Sequence, residues 1–179
     1  VSKFHPFEAI EEAYQAGQRI FAESRPQELQ AKVKMLEQRR AERGEPEYMS
    51  DIQWHFIGHL QTNKLKMVLP YVSLVQSVDS VRLLDAINSW SAANSRVINV
   101  LLEPHIAAEE TKQGFDPEEV ARVMKDAIDG KYRFIRFKGI MGMATFTDDE
   151  SVIREDFRRL RAVFDEARRS SPLFTDDFS

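Results

Sequence analysis

Short apolar runs typical of β-strands alternate with helix-like segments along the whole chain, and this alternation constrains the fold more than any other feature. A first strand candidate ends at Val1-Ser2, and five more lie within residues 19–23, 51–57, 74–78, 96–102 and 134–144. Strand ends recur every ~20–40 residues, which is typical of parallel βαβ units. The sequence therefore predicts an α/β fold.

Helix-start and helix-stop residues bound the segments between these strands. In the second of these segments, Leu29, Val33 and Leu36 share the apolar stripe that we expect to face the core. Asp79 and Ser80 are expected to cap the fourth. The pattern predicts helices over residues 6–17, 27–43, 62–69, 81–94, 116–128 and 148–169.

Two architectures fit strands and helices in this order, a doubly wound open sheet and a (β/α)8 barrel of the TIM type. The Rossmann fingerprint G-x-G-x-x-G is absent from the sequence, and so is a P-loop. A complete barrel takes about 250 residues, whereas this chain has 179. We therefore expect a single barrel domain over residues 1–179 that is truncated at both ends. It would lack part of its first strand and its last two strands.

Charge and composition exclude several classes of function. The net charge is −4 and no sustained basic stripe is present, which argues against nucleic-acid binding. The absence of cysteine excludes disulfides, thiol catalysis and cysteine zinc sites, and the four histidines are too scattered to favour a metal site. No apolar run is long enough to span a membrane. A cytoplasmic location without a membrane partner is the default expectation, although the chain begins at Val1 rather than at a methionine.

Three strand ends carry the residues that point to a ligand. The apolar segment before Gly58 turns at once into a polar, helix-starting segment, and Lys3 follows the strand candidate at the N-terminus. A third strand end carries Met141-Gly142-Met143. Because α/β proteins bind ligands beyond the carboxyl ends of strands and at helix N-termini, these segments predict a cofactor site served by one lysine.

Four segments resemble, in the same order, the YggS/PROSC family of pyridoxal-phosphate homeostasis proteins. They are Val1–Lys3, Phe21–Glu28, Trp54–Lys64 and Met141–Phe146. The third is the most specific, and residues 109–115 match as well. The resemblance implies the fold of the N-terminal barrel of bacterial alanine racemase without a second domain. It also implies that pyridoxal 5'-phosphate is the cofactor.

The same resemblance implies a role for individual residues. Lys3 is expected to hold the cofactor as a Schiff base. Ser24 stands where the family usually carries an asparagine near the cofactor, and His5 stands where many members have a second lysine. Under this interpretation the protein holds and delivers the cofactor in vitamin B6 homeostasis without catalytic turnover. Its expected partners are apo-enzymes that accept the cofactor, and we expect a monomer or a weak dimer.

The other candidate site residues have a structural alternative. His55 shares a strand face with Gln53 and Ile57, so it either points to the ring of the cofactor or is a core histidine with one satisfied nitrogen. Asn63 lies one helical turn after His59. It either contacts a phosphate or ring hydroxyl or caps a helix.

The third strand end offers an apolar wall and a hydroxyl. Gly142 permits a close backbone approach, and Met141 either lines the pyridine ring or fills the core. Thr145 offers a hydroxyl at the mouth of the barrel. Lys112 is either a second amine near the mouth or a surface lysine paired with Glu109.

Two other functions stay open at this point. An amino-acid racemase-like enzyme needs two acid/base groups on opposite faces of the cofactor adduct. The four tyrosines that could serve fall on helices or on loops beside them: Tyr14, Tyr48, Tyr71 and Tyr132. An interaction domain that has lost the cofactor is the third possibility, favoured a little by Ser24 and His5.

Overall fold

A computed structural model of the protein describes residues 1–107 and 114–170. Contacts divide the chain into two compact units, Val1–Val75 and Gln76–Ser179. The helices are α1 (Phe7–Gln15), α2 (Pro26–Arg43), α3 (Leu65–Val68), α4 (Val81–Ala93), α5 (Pro117–Ile128) and α6 (Glu150–Ser170). The strands are β1 (Ile20–Glu23), β2 (Gln53–Phe56), β3 (Val72–Val78), β4 (Ile98–Leu102) and β5 (Ile135–Ile140).

The strands form a sheet in the order β1-β2-β3-β4-β5, which is their order along the chain. In the first unit, β1 and β2 are parallel, with Glu23 opposite Phe56, and β2 is parallel to β3. In the second unit, β4 and β5 are parallel, and the amide of Glu103 donates to the carbonyl of Val78 over 2.8 Å. The predicted α/β class with parallel βαβ units is confirmed.

Apolar spacing accounts for the core of the first unit. Phe7 and Ile10, three residues apart on α1, are both buried, as are Leu29 and Leu36 on α2. Helix α2 contacts both β1 and α3. One residue differs from expectation. Val33 is only half-buried, and the preceding residue, Lys32, is buried instead.

The second unit buries its helices through similar stripes. Val120, Val123 and Met124 are buried on α5, which contacts α6. Helix α4 contacts β4 and β5. In β4 the burial alternates, with Ile98, Val100 and Leu102 buried and the residues between them half-buried. One face of this strand is therefore more deeply buried than the other.

Two predicted elements differ from those observed. The helix predicted over 62–69 is a 3₁₀ turn, Thr62–Lys64, followed by the single α-helical turn of α3. The strand candidate at the N-terminus is not a regular strand. Its Ser2 amide donates to the Ala22 carbonyl over 2.9 Å, but Phe4 then adopts a φ of 67° and the chain turns away.

No helix within residues 1–107 and 114–170 is long and apolar enough to cross a lipid bilayer.

The predicted cap of α4 is confirmed and can be tested. The Ser80 hydroxyl accepts a hydrogen bond from the amide of Leu83 over 3.3 Å. Ser80→Ala should lower the free energy of unfolding by about 0.5–2 kcal/mol, the usual cost of losing such a cap. Urea unfolding followed by circular dichroism measures it. Ser89→Ala is the matched control, because Ser89 is exposed in the interior of the same helix, where alanine has the better helix propensity. Equal losses in both variants would contradict the capping role.

Candidate functional site

The carboxyl ends of β1 and β2 lie side by side in the first unit. The amide of Ile57 donates to the carbonyl of Glu23 over 2.9 Å, just beyond the last paired residues. One residue later, a side chain at Gly58 would place its Cβ only 2.1 Å from the backbone oxygen of Ser24. Only glycine allows the two chain segments to approach this closely. The junction identified at Gly58 is therefore a close contact between two strand ends.

Lys3 emerges at the same edge. The residue before it, Ser2, is hydrogen-bonded to Ala22 of β1, and Ala22 has His55 of β2 as its register partner. The Lys3 side chain is exposed, and its Nζ lies 5.7 Å from the centre of the Phe4 ring. An exposed primary amine beside the carboxyl end of β1 is a group that a carbonyl compound can reach.

A buried ionic network lies directly behind Lys3. The Ser2 hydroxyl donates to Glu23 Oε1 over 2.6 Å, and Lys32 Nζ donates to the same oxygen over 2.6 Å. Lys32 Nζ also donates to the Ser2 carbonyl over 2.8 Å. Glu23 is 0% exposed and Lys32 is 8% exposed. The buried Glu23 Oε2 has no hydrogen-bond partner in the part of the chain that the structure describes.

The sequence analysis missed this network, although a signal for it was present. Glu23 ends an otherwise apolar strand, and Lys32 lies three residues after Leu29 on the inward stripe of α2. A carboxylate and a lysine that both occupy core-facing positions are expected to pair, because a buried charge without a partner is costly. This pairing explains why Lys32, and not Val33, is buried.

His55 lies half-buried in β2, between Ala22 of β1 and Leu74 of β3 in the strand register. Burial lowers its pKa below the ordinary value of 6.5. The imidazole is therefore neutral at neutral pH, with one nitrogen that can donate and one that can accept a hydrogen bond. A neutral ring is compatible with a histidine that contacts the cofactor and also with a core histidine. The lowered pKa therefore does not distinguish these two roles, and the cofactor contact stays a prediction.

The two small polar candidates of the first unit are placed differently. Ser24 is half-buried and follows β1 directly, against Gly58. Asn63 is exposed in the 3₁₀ turn. The N-cap position of that turn is Gln61 and the N-cap position of α3 is Lys64, so Asn63 does not occupy either position. The capping alternative for Asn63 is therefore not supported.

The remaining predicted residues belong to the second unit. The amide of Met141, beyond the end of β5, donates to the Leu102 carbonyl over 2.8 Å. A Cβ at Gly142 would lie 2.9 Å from Ile106 Cδ1 and 3.0 Å from Leu160 Cδ1. The absence of a side chain at Gly142 thus allows other groups to come close to its backbone. In this structure those groups are the side chains of Ile106 and Leu160.

The hydroxyl of Thr145 is already engaged by the protein. Both the amide and the hydroxyl of Thr145 donate to Asp156 Oδ2 on α6, over 2.8 and 2.7 Å. These two bonds hold the pKa of the buried Asp156 carboxyl below its ordinary value. A contact between this strand end and a cofactor remains a prediction. Lys112 lies outside the described residues.

An apolar cavity of about 370 Å³ lies elsewhere in the second unit. Side chains of α5 and α6 line it, among them Val120, Met124 and Val163. None of the predicted site residues is among the described residues in its wall, and it contains no lysine there. Within residues 1–107 and 114–170, no group of three or more histidine, aspartate or glutamate side chains is placed to hold a metal ion.

The first-unit edge carries groups that could bind an aldehyde. It combines an exposed primary amine, a neutral half-buried imidazole and a small polar side chain next to a glycine contact. An amine forms an imine with an aldehyde, and the neighbouring groups offer hydrogen bonds to a polar aromatic ring. The arrangement suits a planar aldehyde that carries further polar groups.

Comparisons with known proteins agree with this chemistry. The family described as alanine racemase, N-terminal domain, matches residues 3–175. A pyridoxal phosphate homeostasis protein of Aquifex aeolicus is 33% identical over 168 residues, which are 94% of this chain and 68% of that protein. The chain thus spans about two thirds of the length of this relative.

Solved structures show the same relationship. PipY of Synechococcus elongatus without PLP has a TM-score of 0.82 at 28% identity, over 97% of this chain and 75% of PipY. PipY with PLP bound has a TM-score of 0.75 at 27% identity, over 97% and 74%. Alanine racemase of Streptomyces coelicolor has a TM-score of 0.64 at 16% identity, over 94% and 43%. That last likeness concerns the fold alone.

The lowered pKa of His55 predicts a pH dependence of stability. Below about pH 6.5, the unfolded chain binds a proton at residue 55 more readily than the folded chain does, so the free energy of unfolding decreases as the pH falls. His55→Gln should reduce the loss of stability between about pH 7.5 and about pH 5.5, as measured by urea unfolding. An equal pH dependence in the two proteins would contradict the effect of burial.

Proposed function

The chain belongs to the family of the alanine racemase N-terminal domain and, within it, to the pyridoxal phosphate homeostasis proteins, and on that premise we propose that it binds pyridoxal 5'-phosphate as a Schiff base on Lys3. The observation that carries the proposal is the exposed Lys3 amine beside the carboxyl end of β1, anchored to that strand through Ser2. PipY, which shares the fold at 27% identity, has been solved with PLP bound.

Each residue at this edge has a role under the proposal. The cofactor supplies an aldehyde, with which the neutral amine of Lys3 forms an imine and releases water. His55 contributes an uncharged ring with hydrogen-bonding capacity, and Ser24 contributes a short hydroxyl beside Gly58. Asn63 contributes an amide from an exposed turn that can bond to the phosphate or to the ring hydroxyl. Met141, Gly142 and Thr145 remain predicted members of the site.

We further propose that the protein holds and delivers the cofactor without catalytic turnover. Racemisation needs a second acid/base group opposite the lysine, and tyrosine is the usual candidate in alanine racemases. Tyr14 donates its hydroxyl to Asp51, and this bond raises its pKa above 10.0. Burial and a bond to Glu11 raise the pKa of Tyr48. Such tyrosines are poor bases at neutral pH.

The second unit offers no better tyrosine base. Burial and a hydrogen bond to Asp85 raise the pKa of Tyr132 above its ordinary value. The racemase-like alternative therefore lacks a prepared partner for Lys3 among these three tyrosines. A carrier role needs only an imine that forms and hydrolyses reversibly, and the exposure of Lys3 leaves the amine within reach of an apo-enzyme that accepts the cofactor.

The proposal is tested by locating the adduct. Protein mixed with pyridoxal phosphate should gain a visible absorption band, and borohydride should fix the cofactor on Lys3, as identified by peptide mass spectrometry. Lys3→Arg should abolish the band, because a guanidinium forms no such imine at neutral pH. Lys66→Arg is the control, since Lys66 is exposed on α3 and its loss should not matter. A reduced adduct only on other lysines would refute the assignment to Lys3.

The carrier and racemase roles differ in turnover. Each positioned acid or base typically contributes about 10²–10⁴-fold, so the loaded protein should convert L-alanine to D-alanine below ~1 s⁻¹, the lower end of ordinary enzymes. Chiral chromatography after long incubation measures the conversion, with an alanine racemase assayed in parallel. Faster turnover that disappears in Lys3→Ala would make the protein a racemase and overturn the carrier role.

A further inference from the structure

We propose that the buried pair Glu23–Lys32 is a positioning device for Lys3, which acts by immobilising Ser2. The inference rests on the proposed function, since it assigns a purpose to the network on the assumption that Lys3 forms the bond to the cofactor. Neither residue of the pair is exposed enough to serve as a second reactive group itself. Their effect on Lys3 passes through the residue that precedes it.

The amide, the hydroxyl and the carbonyl of Ser2 all form hydrogen bonds. Its amide donates to the Ala22 carbonyl over 2.9 Å, and its hydroxyl donates to Glu23 Oε1 over 2.6 Å. Its carbonyl accepts from Lys32 Nζ over 2.8 Å and from the His5 amide over 3.1 Å. Each polar group of the residue is therefore held. Because Ser2 is 5% exposed and the next residue is exposed, the chain leaves the protein interior at a fixed point immediately before Lys3.

The support for this point is rigid. Lys32 lies in the interior of α2, and Glu23 is the last residue of β1, so both side chains start from regular backbone. Helix α2 contacts β1 directly. Groups on helices and strands hold a reactive residue more reproducibly than groups on loops do. Lys3 itself is on a loop. The pair attaches the residue before it, Ser2, to a helix and to a strand.

Stability alone explains the pair poorly. Burying two charges costs free energy that their attraction does not always recover, and well-packed apolar residues are often as stable. This pair also leaves the buried Glu23 Oε2 without a hydrogen-bond partner among the described residues, which adds a desolvation cost. An arrangement with this cost is better explained by what it holds in place.

The positioning role has a kinetic consequence. An amine attacks an aldehyde efficiently only when both are held close together and in the right orientation, and a displacement of about 1 Å can cost roughly 10²-fold in rate. Loss of the Lys32 bond to the Ser2 carbonyl would free the backbone before Lys3. We therefore expect slower formation of the bond to the cofactor and a less defined orientation once it has formed.

The main test variant is the double substitution Glu23→Gln with Lys32→Met. It removes both charges together, so no unpaired charge stays buried, and the new side chains have similar volumes. The Ser2 carbonyl loses its side-chain donor, whereas the Ser2 hydroxyl keeps an acceptor in the side-chain amide that the Glu23→Gln substitution introduces. Lys34→Met is the control, because Lys34 is exposed on the same helix, two residues later.

Three quantities are measured on the full chain with pyridoxal phosphate. They are the rate at which Lys3 becomes labelled, the visible circular dichroism of the bound cofactor, and the thermal midpoint without cofactor. The double variant should label Lys3 about tenfold to a hundredfold more slowly, with altered visible circular dichroism and a thermal midpoint near that of the unaltered protein. Lys34→Met should match the unaltered protein in all three.

Ser2→Ala keeps the test decisive if the double variant does not fold. This substitution removes only the hydroxyl contacts of a small residue and keeps its backbone bonds, so the protein should fold. It should label Lys3 severalfold more slowly than Lys34→Met does, with the reduction smaller than in a folded double variant.

The outcomes separate the two proposals. Labelling of Lys3 at the unaltered rate, with unchanged visible circular dichroism, in the folded double variant or in Ser2→Ala would overturn the positioning role while leaving the proposed function intact. Failure of the unaltered protein to become labelled on Lys3 at all would overturn both. Slower labelling confined to the Ser2, Glu23 and Lys32 variants supports the positioning role.

Discussion

The ion pair between Glu23 and Lys32 is the interaction that links the chain segments around the candidate site. A single carboxylate oxygen accepts from Lys32 and from the Ser2 hydroxyl, each over 2.6 Å. The pair thereby joins β1, α2 and the N-terminal segment at one point. The Glu23 backbone adds a further link, because its carbonyl accepts from the amide of Ile57 after β2. The N-terminal segment, β1, α2 and the segment after β2 thus meet where Lys3 emerges.

Several hydroxyl groups elsewhere in the protein already donate hydrogen bonds to carboxylates. Tyr14, Tyr48 and Tyr132 each donate to a carboxylate, and the pKa of each is raised. Thr145 donates twice to Asp156. A hydroxyl that already donates to a carboxylate is rarely in the deprotonated form that could accept a proton, because deprotonation would bring two negative charges together. The exposed Lys3 is the contrasting case.

The comparisons and the geometry support different parts of the conclusion. The TM-score of 0.64 with an alanine racemase at 16% identity shows a common fold, and one fold supports many functions. The match to a pyridoxal phosphate homeostasis protein at 33% identity shows the family. What the residues do must still be argued from the edge where β1 and β2 end, to which Lys3, His55 and Gly58 belong. The proposed positioning of Lys3 is an argument of this second kind.

Local patterns were sufficient to predict the α/β class, the strand ends and the cap at Ser80, because hydrophobic period and turn chemistry act between residues close in sequence. Gly58 could be identified as a feature of a strand end for the same reason, whereas the segment before Lys3 is not a regular strand. Lys32 was missed, and the neighbours of Gly142 and the partner of Thr145 were not predicted. Ile106 and Leu160 pack against Gly142, while Asp156 bonds to Thr145. These partners come from separate elements and are determined by packing between those elements. The local hydrophobic pattern of the sequence does not indicate such contacts.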